Sequence, residues 1–184
     1  MSHPRRDLLK FGLALPILAA PAIGWCDAAA NAVLDDGPRK VALHNVHTGE
    51  SLDVVYREGG RYVDGALSEV NHVLRDYRTG DVHPIDPRLL NLLDTLSRRV
   101  EAKAPFQVIS GYRSPKTNAL LHRDSGGVAT HSLHMSGMAV DIRMADVDLA
   151  NLHRAALGLA AGGVGYYPSS DFVHVDVGPV RRWG

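Results

Sequence analysis

Two short segments hold the chelating side chains that most restrict how this chain can fold. The first is Ser132-Leu133-His134-Met135-Ser136-Gly137-Met138-Ala139-Val140-Asp141. It places a histidine in a loop and an acid on the strand-like run from Met138 to Met144. The second is Asp171-Phe172-Val173-His174-Val175-Asp176, which sets a histidine in another short strand. Gly137 lets the chain turn back between His134 and Asp141. If the two strands are neighbours, one sheet face and two loops gather His134, Asp141 and His174. Two imidazoles and one carboxylate suit a single Zn²⁺, which in hydrolases commonly takes three protein ligands. Spacing alone does not decide this. Ten histidines and twenty acids produce a His-x6-Asp pair by chance. Taken singly, His134 reads as a loop residue, Asp141 as a turn acid and His174 as a satisfied core histidine.

The rest of the chain supplies a scaffold for such strands. Val41 to His47 and Ser51 to Arg57, rich in β-branched residues, flank Thr48-Gly49-Glu50 and read as a hairpin. Leu67, Val70, Val73, Leu74 and Tyr77 recur at helical spacing between Asp64 and Arg78. Asp86-Pro87 is an N-cap with proline at the first helical position, opening a leucine-rich helix to about Glu101. Phe106 to Ser110 reads as a strand, and Ser114-Pro115 opens a helix to about His122, broken at Ser125-Gly126-Gly127. Val147 to Ala161 reads as a helix, and Val164 to Tyr167 and Phe172 to Val177 as strands about a Pro168-Ser169-Ser170 turn. Early helices and late strands predict an α+β fold: one domain, with a small, mainly antiparallel sheet flanked by helices.

The N-terminus reads as an export signal. Arg5-Arg6-Asp7-Leu8-Leu9-Lys10 precedes an apolar run from Phe11 to Trp25, and Ala28-Ala29-Ala30 suits cleavage. Residues 1–30 are thus expected to be a twin-arginine-type signal and residues 31–184 the mature domain. The apolar run is shorter than the ~20 residues of a membrane span, so no transmembrane segment is expected after signal removal. Lys plus Arg and Asp plus Glu both number 20, and aromatics are 6%. That balance gives no support to nucleic-acid binding. The single cysteine, Cys26, cannot form an internal disulfide.

The pattern Ser-x-His-x-x-Gly-x-Ala-x-Asp from Ser132 to Asp141 resembles the metal motif of the zinc D-alanyl-D-alanine peptidase family. The later His174-x-Asp176 and the upstream Ser110-Gly111-Tyr112-Arg113-Ser114 follow in that family's order. Leu43-His44-Asn45, His47-Thr48-Gly49-Glu50, Arg75-Asp76-Tyr77-Arg78 and Gly162-Gly163-Val164-Gly165-Tyr166-Tyr167-Pro168 extend the likeness, in the murein endopeptidase branch, to essentially the full length.

The resemblance implies a hedgehog/D,D-peptidase-like fold and one Zn²⁺ on His134, Asp141 and His174. It also implies a periplasmic endopeptidase acting on peptidoglycan peptide stems. A D,D-carboxypeptidase on the same scaffold, or a non-catalytic zinc-containing cell-wall binding protein, are the competing readings. Asp171, three residues before His174, is nominated as general base, with a cap on the Ser169-Ser170 turn as the plainer alternative. Asp176 is the second catalytic candidate; it shares a strand face with His174 and is well placed to orient that ring. By resemblance Arg113 grips a substrate carbonyl or carboxylate, against the alternative of a salt bridge. His131 either binds substrate or is an exposed loop residue. Ser110 and Ser132 lack a Gly-x-Ser-x-Gly elbow, which argues against a serine hydrolase.

Overall fold

Pairing between residues far apart in sequence builds the frame of the molecule. The computed structural model describes residues 37–125 and 128–184. The expected export signal, Cys26 and the Gly126-Gly127 break lie outside them. The described residues form one compact unit. Its strands are β1 (Arg39–Asn45), β2 (Ser51–Glu58), β3 (Arg61–Tyr62), β4 (Phe106–Ser110), β5 (Ala139–Met144), β6 (Gly163–Tyr167), β7 (Phe172–Asp176) and β8 (Arg181–Trp183). Its helices are α1 (Asp64–Val73), α2 (Pro87–Arg99), α3 (Pro115–Ser125) and α4 (Leu149–Leu159).

The eight strands form one sheet in the order β3-β2-β1-β4-β5-β7-β6-β8. The pairs β1–β4 and β6–β8 are parallel, and the other five pairs are antiparallel. The sheet is therefore larger than the sequence suggests. Two-residue β3 and three-residue β8 are too short to show a periodicity. The fold is mixed α+β, with four helices among the described residues.

Strand alternation divides the residues of this sheet into a core and a site. Val140, Ile142 and Met144 of β5, with Val173 and Val175 of β7, belong to the same buried cluster as Leu89, Leu90, Leu93 and Leu96 of α2 and Leu152 of α4. Successive strand residues point to opposite faces, so Asp141, His174 and Asp176 face away from that cluster. In the β5–β7 ladder Asp141 lies directly opposite His174. Across β4–β5 Asp141 pairs with Ser110, after a register irregularity between Val108 and Ser110. Such an irregularity re-aims the strand end where the chain leaves β4 toward Arg113.

Helix α2 starts where the sequence places it: the Asp86 side chain accepts from the Arg88 N–H, with Pro87 in the first turn. Helix α1 stops at Val73 instead of running to Arg78. The reason is local. The Leu74 carbonyl accepts from the Tyr112 N–H at 2.7 Å, and Asp76 engages Ser114, so this stretch serves the site loop rather than a further helical turn.

Candidate metal centre

His134 lies on a single 3-10 turn, Leu133–Ser136, between α3 and β5. Ser132 caps that turn, its side chain accepting from the His134 N–H. Gly137 ends it at φ +65°, a backbone that favours glycine. A Cβ there would also lie 2.2 Å from the Pro84 carbonyl oxygen. The turn thus seats tightly against the loop before α2, and His134 is 1% exposed.

Three donor atoms converge at this point. His134 Nε2 lies 3.2 Å from Asp141 Oδ1 and 3.1 Å from His174 Nδ1, and His174 Nδ1 lies 2.9 Å from Asp141 Oδ1. The groups behind the rings set the proton positions. His134 Nδ1 is 2.7 Å from the Gly111 carbonyl, which can only accept, so Nδ1 carries the proton and Nε2 its lone pair. His174 Nε2 is 3.1 Å from Asp176 Oδ2, a carboxylate oxygen, so Nε2–H donates there and Nδ1 faces the cluster.

Two ring nitrogens and one carboxylate oxygen therefore turn electron pairs toward one point, an arrangement that asks for a proton or a cation. Tetrahedral zinc with bonds of about 2.05 Å separates its ligands by about 3.3 Å, close to the triangle observed. The donor set and its outer partners fit a zinc ion.

The electrostatics agree with this. Burial would push the Asp141 carboxyl up, yet the His134 and His174 rings outweigh it and hold it well below the usual carboxylate range. Burial pushes His134 down. It would push His174 down too, but Asp141 and Asp176 at its two nitrogens raise it instead. A metal cation held at this point would compete with a proton for the His174 Nδ1 lone pair. The second oxygen of Asp141 is ion-paired with Arg113 Nη2, while Arg113 Nε donates to Ser110 Oγ at 2.8 Å.

A cavity of about 500 Å³ opens over the cluster. Its wall includes Arg113, the exposed His131, Leu133, Tyr167, Phe172, Arg181 and Trp183.

The family model for peptidoglycan L,D-endopeptidase MepK matches residues 34–183. The chain belongs to this family. As a member it is a peptidase. It is 42% identical over 182 residues to the peptidoglycan L,D-endopeptidase MepK of Escherichia coli K12, covering 97% of this chain and 96% of that one. It is 38% identical to the probable peptidoglycan L,D-endopeptidase MepK of Haemophilus influenzae, covering 98% and 95%. Among solved structures, Serratia marcescens L-Ala D-Glu endopeptidase ChiX aligns with a TM-score of 0.35 and 23% identity, over 52% of this chain and 68% of that one.

Within this MepK-family chain the residues singled out from sequence fall into two groups. His134, Asp141, His174, Arg113 and Asp176 are joined by direct contacts, and His131 lies on the cavity wall. Asp171 stands apart from them. Its Oδ2 accepts from Arg143 Nη1 at 2.8 Å, its side chain is 63% exposed, and it ends the Pro168–Ser170 turn in the left-handed conformation. Ser170 and Phe172 on either side of it line the cavity; Asp171 does not.

Asp171→Ala is therefore expected to lower kcat/KM less than about 10-fold, because an exposed ion pair is worth about 1 kcal/mol or less. A loss of about 10²-fold or more with the metal retained would restore Asp171 as the base.

Sequence reasoning missed Arg181 and Trp183. The run Arg181-Arg182-Trp183 carries no periodicity and lies beyond every motif, so only its pairing with β6 reveals it.

Proposed function

We propose that the chain is a zinc-dependent peptidoglycan endopeptidase that hydrolyses peptide cross-links, with the ion held by His134, Asp141 and His174. The observation that supports this most directly is the meeting of three lone pairs, each fixed from behind by a named partner. A zinc ion held there supplies Lewis acidity, polarising a carbonyl and making water acidic. The chain's own residues do the positioning. The Gly111 carbonyl holds His134 through its Nδ1–H, and Asp176 holds His174 through its Nε2–H. Arg113 holds the far oxygen of Asp141.

Asp176 acts in this reading as an orienting group and not as a proton acceptor, since its oxygens are already met by five N–H donors. Arg113 and His131 face the cavity, where a peptide would lie.

The names of the relatives support an L,D cross-link as the scissile bond. They also support a location outside the cytoplasm, where peptidoglycan is found. We assign residues 1–30 as a twin-arginine-type signal delivering a mature domain, 31–184, of the hedgehog/D,D-peptidase type to the periplasm. Among the described residues no helix is long and apolar enough to cross a membrane.

Digestion of purified peptidoglycan, read by mass analysis of the fragments, tests the proposal. Cross-linked dimers are expected to fall and monomers to rise, with chelator blocking the change and zinc restoring it. Release of terminal D-alanine alone would point to a carboxypeptidase. An unchanged digest from folded, zinc-loaded protein would point to a binding protein.

A further inference from the structure

Behind the metal cluster, Asp176 is 0% exposed and wrapped by donors. Its Oδ1 accepts from Gly163 N at 2.9 Å, Gly178 N at 2.9 Å and Arg181 Nη1 at 3.2 Å. Its Oδ2 accepts from His174 Nε2 at 3.1 Å and from Arg181 Nη2 at 2.7 Å. Arg181 therefore grips the carboxylate with both prongs of its guanidinium, a geometry that lysine cannot reproduce.

The surrounding chain is shaped around this grip. A Cβ on Gly163 would lie 2.4 Å from Asp176 Oδ2 and 2.7 Å from Arg181 Nη1. A side chain at this position of β6 would force the carboxylate, the guanidinium or both to shift. The guanidinium lies 5.0 Å over the Trp183 ring, and Trp183 Nε1 donates to the Tyr167 hydroxyl at 2.7 Å, which fixes the ring.

The charges explain why an arginine is needed. When His174 turns its Nδ1 lone pair to a cation, the ring itself is neutral, and the cation's charge lies on the ring's far side, out of contact with Asp176. A buried carboxylate without a full counter-charge is costly. Arg181 is the cationic side chain that contacts Asp176 and remains charged throughout. Without it the carboxylate loses two of its five donors, one of them on the Oδ2 that accepts from His174, so its hold on the ring loosens.

We propose that Arg181 is a positioning residue of the metal centre: acting through Asp176, it fixes the His174 ring so that Nδ1 faces His134 and Asp141. The inference rests on the zinc reading above.

A double-mutant cycle on zinc affinity tests it. Zinc is titrated against a chromophoric chelator in the wild type, Arg181→Gln, Asp176→Asn and the double variant. The visible spectrum of the Co²⁺ form reports ligand geometry independently of turnover, and circular dichroism of the metal-free proteins checks folding. Arg181→Gln is expected to weaken zinc binding about 10- to 100-fold, the range for partners behind a metal ligand, and to alter the Co²⁺ spectrum. The double variant is expected within about 2-fold of Asp176→Asn, because the two residues act in series.

Arg181→Lys keeps the charge and loses one prong. It is expected to fall between wild type and Arg181→Gln, and it carries the test if the glutamine disrupts β8. Affinities for both Arg181 variants within about 2-fold of wild type, or losses that multiply in the double variant, would overturn the inference. Those results leave the zinc reading standing. A wild type that binds no zinc overturns the zinc reading and this inference with it.

Discussion

His174→Ala is expected to remove zinc binding and to lower kcat/KM on cross-linked peptidoglycan by about 10³-fold or more. Metal Lewis acidity supplies several kcal/mol of charge stabilisation, and about 4 kcal/mol corresponds to about 10³-fold in rate. The substitution removes one corner of a donor triangle whose edges are 2.9, 3.1 and 3.2 Å. It also takes from buried Asp176 the Nε2–H donor that sits 3.1 Å away. His134→Ala is expected to do the same at the other imidazole corner, and it would strand the Gly111 carbonyl as well.

Metal content by elemental analysis, measured beside turnover, checks both variants. His44 provides the control. It lies on β1 and its ring bonds to the Ser51 hydroxyl on the neighbouring strand, so His44→Ala is expected to keep zinc and activity. Full zinc occupancy and wild-type turnover in His174→Ala would exclude this residue as a ligand.

The donor triangle was legible in the sequence because its chemistry lies in short, well-punctuated segments. Gly137 marks the turn, and the alternation of Ala139 to Met144 puts Asp141 opposite in sense to Val140 and Ile142. Neighbouring strands are the condition for His134, Asp141 and His174 to meet, and the β5–β7 register satisfies it. Of the supports behind the triangle, Asp176 is legible because it lies two residues from His174 on one strand face, whereas the others arise from pairing between distant segments. The Gly111 carbonyl meets His134 across 23 positions, and Arg113 meets Asp141 across 28. By resemblance Arg113 grips substrate, with a salt bridge as the alternative; in the structure it is ion-paired with Asp141 and also borders the cavity. Residues 74–78 carry a helical pattern in Leu74 and Tyr77, yet the chain there leaves the helix to serve the site loop. Tertiary hydrogen bonding overrides a local period that extends only one turn.

Asp76→Ala is expected to destabilise the fold by about 3–5 kcal/mol, because it leaves several buried donors without an acceptor. Asp76 is 1% exposed. Its Oδ2 accepts from the Ser114 N–H at 2.9 Å and the Ser114 hydroxyl at 2.7 Å, and its Oδ1 accepts from the Arg78 N–H at 3.0 Å. Ser114 ends the segment whose Gly111 carbonyl holds His134 and whose Arg113 holds Asp141, so the loss should weaken zinc binding too. Asp53, exposed on β2, is the control, and Asp53→Ala is expected within about 0.5 kcal/mol of wild type. Urea midpoints of the metal-free proteins provide the measurement; a loss below about 1 kcal/mol for Asp76→Ala would remove Asp76 as the anchor of this loop.

The pH dependence gives an independent check. Burial would raise the Asp76 carboxyl, but hydrogen bonds from Thr117, Ser114 and the Ser114 and Arg78 backbone outweigh it and lower it from 3.8 to about 2. A depressed carboxylate stabilises the fold above its unfolded value. That contribution, ~2 kcal/mol, is lost as pH falls from about 4 through about 2. The wild type should therefore lose more stability than Asp76→Ala between pH 4 and pH 2, and the gap between the two proteins should narrow. A gap that stays constant across that interval would show that Asp76 supports the loop by shape and neutral hydrogen bonding, with its charge playing no part.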